Sequence, residues 1–265
     1  MPGDKAEVLN KIERPYKVRF AHGKCRHTNT MNVNLGYDFI TDILVLEFAL
    51  DNRVIDTGNE NGLWIRRAGQ SLAEALRLAV SKRLDVEFTE LITGYRIRNN
   101  PNGSFVDVYL YDSLSSGAGY AVSVADEIKG ILEDVHTILT GCDCNNACHK
   151  CLKHYRNQYV HGMLDRFCAL QLLDWGENGR LPKTFAFEEQ RSYLKPLNGI
   201  LRHSGCEIDY AGSKIVVQRR GKEKVLVVFP GMLVEPRRND TIYVSDAYIK
   251  YAKPYALQKI LNEMK

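Results

Sequence analysis

Apolar and polar residues recur along this chain with two periods, one suited to helices and one to strands. Ile43-Leu44-Val45-Leu46-Glu47-Phe48 is a nearly unbroken apolar run and reads as a largely buried strand. Residues 51–62 are polar and turn-rich and read as a loop. From 70 to 84, Leu72, Ala75, Leu76, Ala79, Val80 and Leu84 fall at three-and-four spacing, which predicts a helix with one buried face. Ser71 followed by Glu74 reads as a capping box at its start. Segments 86–98 and 104–112 read as strands, and Asn99-Asn100-Pro101-Asn102-Gly103 between them predicts a β-hairpin. Ser115-Ser116-Gly117-Ala118-Gly119 leads into a predicted helix over 120–139, with Val122, Val124, Ile128, Ile131, Leu132, Val135 and Leu139 as its buried stripe. Another helix is expected over 164–175, ended by Gly176 and Gly179. After a linker at 182–187, strands are expected over 206–210, 214–218 and 225–229, with a closing helix over 251–264 that has Pro254 near its first turn. Residues 1–30 carry charge with His22, Cys25 and His27, but no clear period.

Composition narrows the classes. At 265 residues, with 45% hydrophobic and 26% charged residues, the chain can build a core without disulfides. A net charge of +4 is a mild bias toward anionic partners and no footprint of nucleic-acid binding by itself. No apolar run is long enough to span a bilayer, and the polar start is unlike a secretory signal, so no membrane partner and a cytoplasmic location are expected.

Four of the seven cysteines crowd into Cys142-x-Cys144-x3-Cys148-x2-Cys151. Thiolates are soft ligands, and four of them close a tetrahedral shell around Zn(2+) with no open position, the pattern of a structural site. Gly141 and Asn145-Asn146 permit the tight turns that bring the sulfurs together. An iron–sulfur cluster also takes four cysteines, but the spacing is unlike the bacterial ferredoxin run. His149 and His154 read as bystanders, and Cys168 as core. Cys25 with His22 and His27 makes only three ligands. The expected fold is therefore α+β: mixed sheet and helices around a four-cysteine zinc module, with a smaller C-terminal α/β unit. Its expected division is a lead-in over 1–34, the zinc-binding domain over 35–180 and the small unit over 183–265.

Four pieces in order carry a resemblance: Leu110-Tyr111-Asp112-Ser113, Gly117-Ala118-Gly119-Tyr120, the four cysteines, and His154-Tyr155-Arg156-Asn157-Gln158 with Leu164-Asp165-Arg166. Together they resemble the zinc-binding (MZB) domain at the C-terminus of the mitomycin-repair helicase family, also found in partner subunits of DISARM-like anti-phage helicase systems. Thr41-Asp42-Ile43-Leu44 and Ser71 to Leu76 look like the segments preceding that domain, so the resemblance covers about 35–176. Ser115-Ser116 replaces the family's usual Pro-Gly, and Ala147-Cys148-His149-Lys150-Cys151 its Gly-Cys-Pro-x-Cys. The resemblance implies a domain working beside a superfamily 2 helicase, either a separate ATPase subunit or a fused motor, in DNA repair or antiviral defence.

Lys150, Lys153, Arg156 and Arg166 lie among Tyr155 and Tyr159 around the cluster. Basic groups hold phosphates and tyrosines stack on unpaired bases, so Lys150, Lys153, Tyr155, Arg156 and Arg166 are the expected contacts to DNA, single-stranded or duplex. The bland alternative is a solvated basic face. Asp165 and Arg166 can also pair locally or cap the next helix, and Asp112 can serve the turn after the hairpin. No G-x-x-x-x-G-K-[ST] phosphate loop occurs, so no ATPase activity is expected of this chain alone. A metal-dependent nuclease would need clustered carboxylates; Glu188, Glu189, Glu207 and Asp209 lack the spacing. A protein-interaction scaffold that never touches nucleic acid stands as the rival reading.

Overall fold

The computed structural model describes residues 5–8, 31–34, 40–58, 62–101, 103–113, 118–210 and 212–265. His22, Cys25, His27 and the Ser115-Ser116-Gly117 passage lie outside the described residues.

Two units divide at Ile40. In the first, β1 (Lys5–Val8) and β2 (Met31–Asn34) form an antiparallel ribbon, with Lys5 opposite Asn34. The lead-in thus holds paired strands that periodicity does not reveal.

The second unit begins with β3 (Ile43–Leu50), followed by α1 (Gly62–Arg83), then β4 (Leu91–Asn100) and β5 (Gly103–Asp112). The three strands form an antiparallel sheet in the order β3-β5-β4, and β4 and β5 are the expected hairpin. Val106, Val108 and Leu110 of β5 point inward to the same core as Leu72, Leu76, Ala79 and Val80 of α1. Two expectations need correction. The capping box does not exist, because α1 starts eight residues early; Trp64, Ile65 and Ala68 extend its buried stripe backward, and Ser71 and Glu74 become buried mid-helix groups. β3 is not buried on both faces, because the sheet is covered on one side only: Phe48 and Leu50 are buried while Ile43 and Val45 are 55% and 45% exposed.

The predicted helix over 120–139 is two, α2 (Tyr120–Asp126) and α3 (Ile128–Thr140), broken at Glu127 where φ is −106° and ψ is 17°. The break changes the register of the stripe. Ile131, Val135 and Leu139 are buried as expected, but Val122 turns to solvent while Ala121 and Val124 face in. α4 (Arg166–Asn178) is capped by Asp165, whose carboxylate accepts from the N–H groups of Phe167 and Cys168. Gly176 does not end this helix. A side chain there would strike Phe48, with a Cβ only 2.5 Å from its ring, so glycine lets α4 lie close on β3. The helix ends instead at Gly179, in the left-handed conformation at φ 64°.

α5 (Phe187–His203), β6 (Glu207–Asp209), β7 (Val216–Arg219), β8 (Lys222–Phe229), β9 (Thr241–Ser245), α6 (Asp246–Tyr251) and α7 (Lys253–Glu263) complete the unit. Their sheet runs β6-β7-β8-β9, with β8 and β9 parallel. α5 and β9 have no counterpart in the periodicity reading. Pro196 inside α5 argues locally against a helix; Leu194, Leu197 and Leu201, all fully buried, hold it by packing.

Two apolar clusters result. One gathers α1, β3–β5 and α2–α4 and also takes Phe229, Met232, Leu233, Tyr243 and Ala247 from beyond the linker. The other is built from α5, β7–β9, α6 and α7, with Cys206 in its centre. The segment after β8 clasps the chain after β3: Ile55 and Leu233 form an antiparallel bridge, flanked by Asp56 N–H to the Met232 carbonyl (2.9 Å) and Val234 N–H to the Val54 carbonyl (2.8 Å).

Candidate metal centre and the surface around it

The turn after α3 carries Cys142 and Cys144; the next tight turn carries Cys148 and Cys151. The four sulfurs lie within 4.8 Å of one another. Cys142 and Cys148 Sγ are 3.5 Å apart, Cys144 and Cys151 Sγ 3.6 Å, and Cys148 and Cys151 Sγ 3.9 Å. A tetrahedral ion with metal–sulfur bonds of about 2.3 Å requires sulfur separations of about 3.8 Å. The donor set and spacing therefore fit such an ion. Backbone N–H groups already address the sulfurs: Cys148 N–H donates to Cys151 Sγ at 3.2 Å and Lys150 N–H to Cys148 Sγ at 3.4 Å. The Lys150 N–H bond lowers the Cys148 thiol to about 7, whereas burial pushes Cys144 up to about 12. Among the described residues this is the cluster able to hold a metal ion.

Sequence reasoning placed both histidines outside the ligand set, and they are held elsewhere. His154 Nε2 meets the buried Glu74 carboxylate at 3.1 Å and its ring packs edge-on to Phe88. His149 packs edge-on to His161. Cys168 is fully buried, and burial raises its thiol well above the ordinary range. Glu189, from the nuclease alternative, accepts from the Ala186 N–H at 3.1 Å at the start of α5.

The expected nucleic-acid contacts separate into two groups. Lys150 and Arg156 are exposed, Lys153 is half-buried, and Tyr155 is 84% exposed, as is Tyr159 at 83%. Tyr155, Arg156 and Tyr159 lie in the segment Tyr155–Val160, which is kinked at Asn157 (φ −110°, ψ 22°), so that Tyr155 and Arg156 precede the kink and Tyr159 follows it. Arg166 is placed otherwise. It is buried, with Nη1 donating to the Leu139 carbonyl at 2.8 Å and Nε to the Cys144 carbonyl at 3.0 Å, while its own N–H donates to the Asn146 carbonyl at 2.8 Å. Its fork is spent on joining the end of α3 to the cysteine loop, so it is a positioning residue for the metal centre.

The supports from α1 were missed in the sequence. Ser71 Oγ accepts from the Asp165 N–H at 2.7 Å, fixing the start of α4. Glu74 binds His154 and also accepts from Asn157 Nδ2 at 3.2 Å. Asn157, itself buried, donates to the Leu152 carbonyl at 2.8 Å and accepts from the His154 N–H at 2.9 Å. The signal was available: a serine and a glutamate on the apolar face of a helix require buried partners. Asp112 serves the turn after the hairpin, accepting from the N–H groups of Ala118 (2.6 Å) and Tyr120 (3.2 Å).

The family model described as MrfA Zn-binding domain matches residues 72–152. The Druantia protein DruE of Escherichia coli (strain UMEA 4076-1) is 31% identical over 250 residues, covering 88% of this chain. The chain spans 13% of that relative's length. Two solved structures of the DUF1998 helicase MrfA bound to DNA, one of them also with AMPPNP, have TM-scores of 0.35 and 0.37 at 15% and 17% identity, covering 56% and 57% of this chain and 27% and 18% of theirs. Among the described residues no helix is long and apolar enough to cross a membrane. The residues that match the MrfA Zn-binding domain model, 72–152, contain the whole four-cysteine centre.

Proposed function

We propose that this protein is a non-catalytic accessory module of a cytoplasmic superfamily 2 DNA helicase system, with Zn(2+) as the ion in its four-cysteine centre. It holds a nucleic-acid strand against the motor in DNA repair or anti-phage defence. The carrying observation is the pair Tyr155 and Tyr159, both more than four-fifths exposed on either side of the kink at Asn157, close in sequence to Lys150, Lys153 and Arg156. A segment that keeps two tyrosines in water near cations is suited to stacking unpaired bases and holding their phosphates. The metal closes the cysteine loop, and Asn157 and His154 pin the following segment to Glu74 of α1. The match to a domain family named after MrfA, itself a helicase, supports the association with a helicase.

The test is anisotropy of fluorescent single-stranded and duplex DNA at low and moderate salt, on protein of measured zinc content. One zinc per chain and salt-sensitive binding are expected, with Lys153→Ala combined with Arg156→Ala lowering the salt slope by roughly two phosphate contacts. Unchanged binding in that variant overturns the assignment of those residues. Absence of binding at any salt favours the protein-interaction reading, which the open face of the β3-β5-β4 sheet also supports.

A further inference from the structure

The outer face of the three-stranded sheet carries two kinds of row. Toward one end, Glu47 of β3, Asp107 of β5 and Arg96 of β4 stand abreast, with Arg98 in the next row. Asp107 accepts from Arg96 (2.7 Å) and Arg98 (2.6 Å), and Arg98 also pairs with Glu47. These four charges cancel, so this end offers a phosphate chain no unspent cation. Toward the other end stand Val45 beside Tyr109 and Ile43 beside Tyr111, and Ile43 and Val45 are about half exposed.

β3 is also an edge. Among the described strands only β5 pairs with it, and its eight residues hold a single charge, Glu47. The opposite edge, β4, carries Arg96 and Arg98 instead. Edges left open to water are normally shortened, charged or bulged, because unpaired backbone groups beside apolar side chains recruit another strand. β3 shows none of these guards at Ile43, Leu44, Val45 and Leu46.

We infer that the β3 edge is a docking site for an extended segment of the motor-bearing polypeptide, with apolar side chains at alternate positions that lie beside Ile43 and Val45. A strand added there gains ladder hydrogen bonds from the backbone and selectivity from its alternate side chains. Charge cancellation on the adjoining rows favours a protein strand over nucleic acid. Self-pairing fits poorly. Antiparallel registers that keep side-chain faces matched and centre on Val45, Leu46 or Glu47 set Glu47 opposite Ile43, Val45 or the second copy's Glu47. In the relative, the matching region is 13% of a longer polypeptide, which holds ample chain to supply such a strand. The occupant's identity as motor-bearing rests on the function proposed above; the edge itself does not.

The experiment places the photo-crosslinking residue p-benzoylphenylalanine at position 43 of the full chain in cells of its source, with the same residue at position 255 as the control. Mass spectrometry identifies the adducts. One adduct from position 43, to a polypeptide containing a G-x-x-x-x-G-K-[ST] phosphate loop, is expected. Val45→Lys reduces it about tenfold, a loss of about 1.4 kcal/mol in docking, and Val45→Thr, which keeps a good strand former, reduces it less. Both variants keep full zinc content, since Val45 faces solvent. An adduct to a second copy, to nucleic acid, or to a polypeptide lacking that loop overturns the assignment, as does an adduct no stronger than at position 255. Strand binding measured on the Val45→Lys protein separates the two ideas: lost DNA binding in every form with a retained adduct sinks the stacking turn alone, and retained DNA binding without an adduct sinks the docking edge alone.

Discussion

Arg166 reaches from the first turn of α4 to the carbonyl of Cys144, its Nε donating at 3.0 Å, and with Nη1 it holds Leu139 at the end of α3. One side chain thereby fixes both ends of the loop that presents the first two cysteines. Arg166→Ala is expected to lower stability by about 3 kcal/mol, two charge-assisted hydrogen bonds lost at a buried site, and to speed zinc loss to a chelator. Arg166→Lys should recover little, because an ammonium cannot reproduce a two-pronged donor. Thermal melting and chelator-release kinetics check both.

Removing the metal should undo the module. Metal binding contributes to folding wherever the site does not exist in the unfolded chain, on the order of 10 kcal/mol or more for structural zinc. A chelator should therefore unfold the region around Cys142 to Leu152 and expose the pinned turn, seen as loss of amide protection there. Cys148→Ser should lower bound zinc from one equivalent to a small fraction. A folded, protected loop in zinc-free protein would contradict this.

Tyr155→Ala and Tyr159→Ala test the proposed stacking turn without touching the core, since both rings are in water. Each should weaken single-stranded DNA binding by about tenfold, the value of roughly one stacked base, and leave the melting temperature within about 2 °C. Duplex binding should change less than single-strand binding.

Asp107 sets an acid limit. Burial raises its pKa, but the guanidinium groups of Arg98 and Arg96 outweigh that and hold it below the ordinary 3.8. Its folded value is thus below its unfolded value. The stability it contributes is full above about pH 5 and is lost as pH falls through 3.8 toward the folded value. Asp107→Asn should cost about 2 kcal/mol at neutral pH and flatten the fall in urea midpoint between pH 5 and 3.

The metal centre was legible in the sequence because its signal is local: four thiols within ten residues leave few alternatives. The hairpin and the buried face of α1 were legible for the same reason, through turn chemistry and a single strong period. Elements held by tertiary packing were not. α5 contains Pro196 yet is held by Leu194, Leu197 and Leu201, and β3 looks largely buried in sequence though one face is open. Arg166 looked like a phosphate contact because composition cannot tell a cation facing water from one facing carbonyls. Ser71 and Glu74 matched a capping motif, but they serve segments 94 and 80 positions away.

The bridge between Ile55 and Leu233 has a consequence for the order in which the protein is made. Ile55 is fully buried, yet part of what covers it, Met232 and Leu233, leaves the ribosome long after the cysteine loop does. The four-cysteine loop can close early, through contacts local in sequence. The core on which it stands stays open until the polypeptide has been extended past Ala247. A nascent chain halted at the linker before α5 would present a closed cysteine loop on an unfinished hydrophobic interior, a species for chaperones.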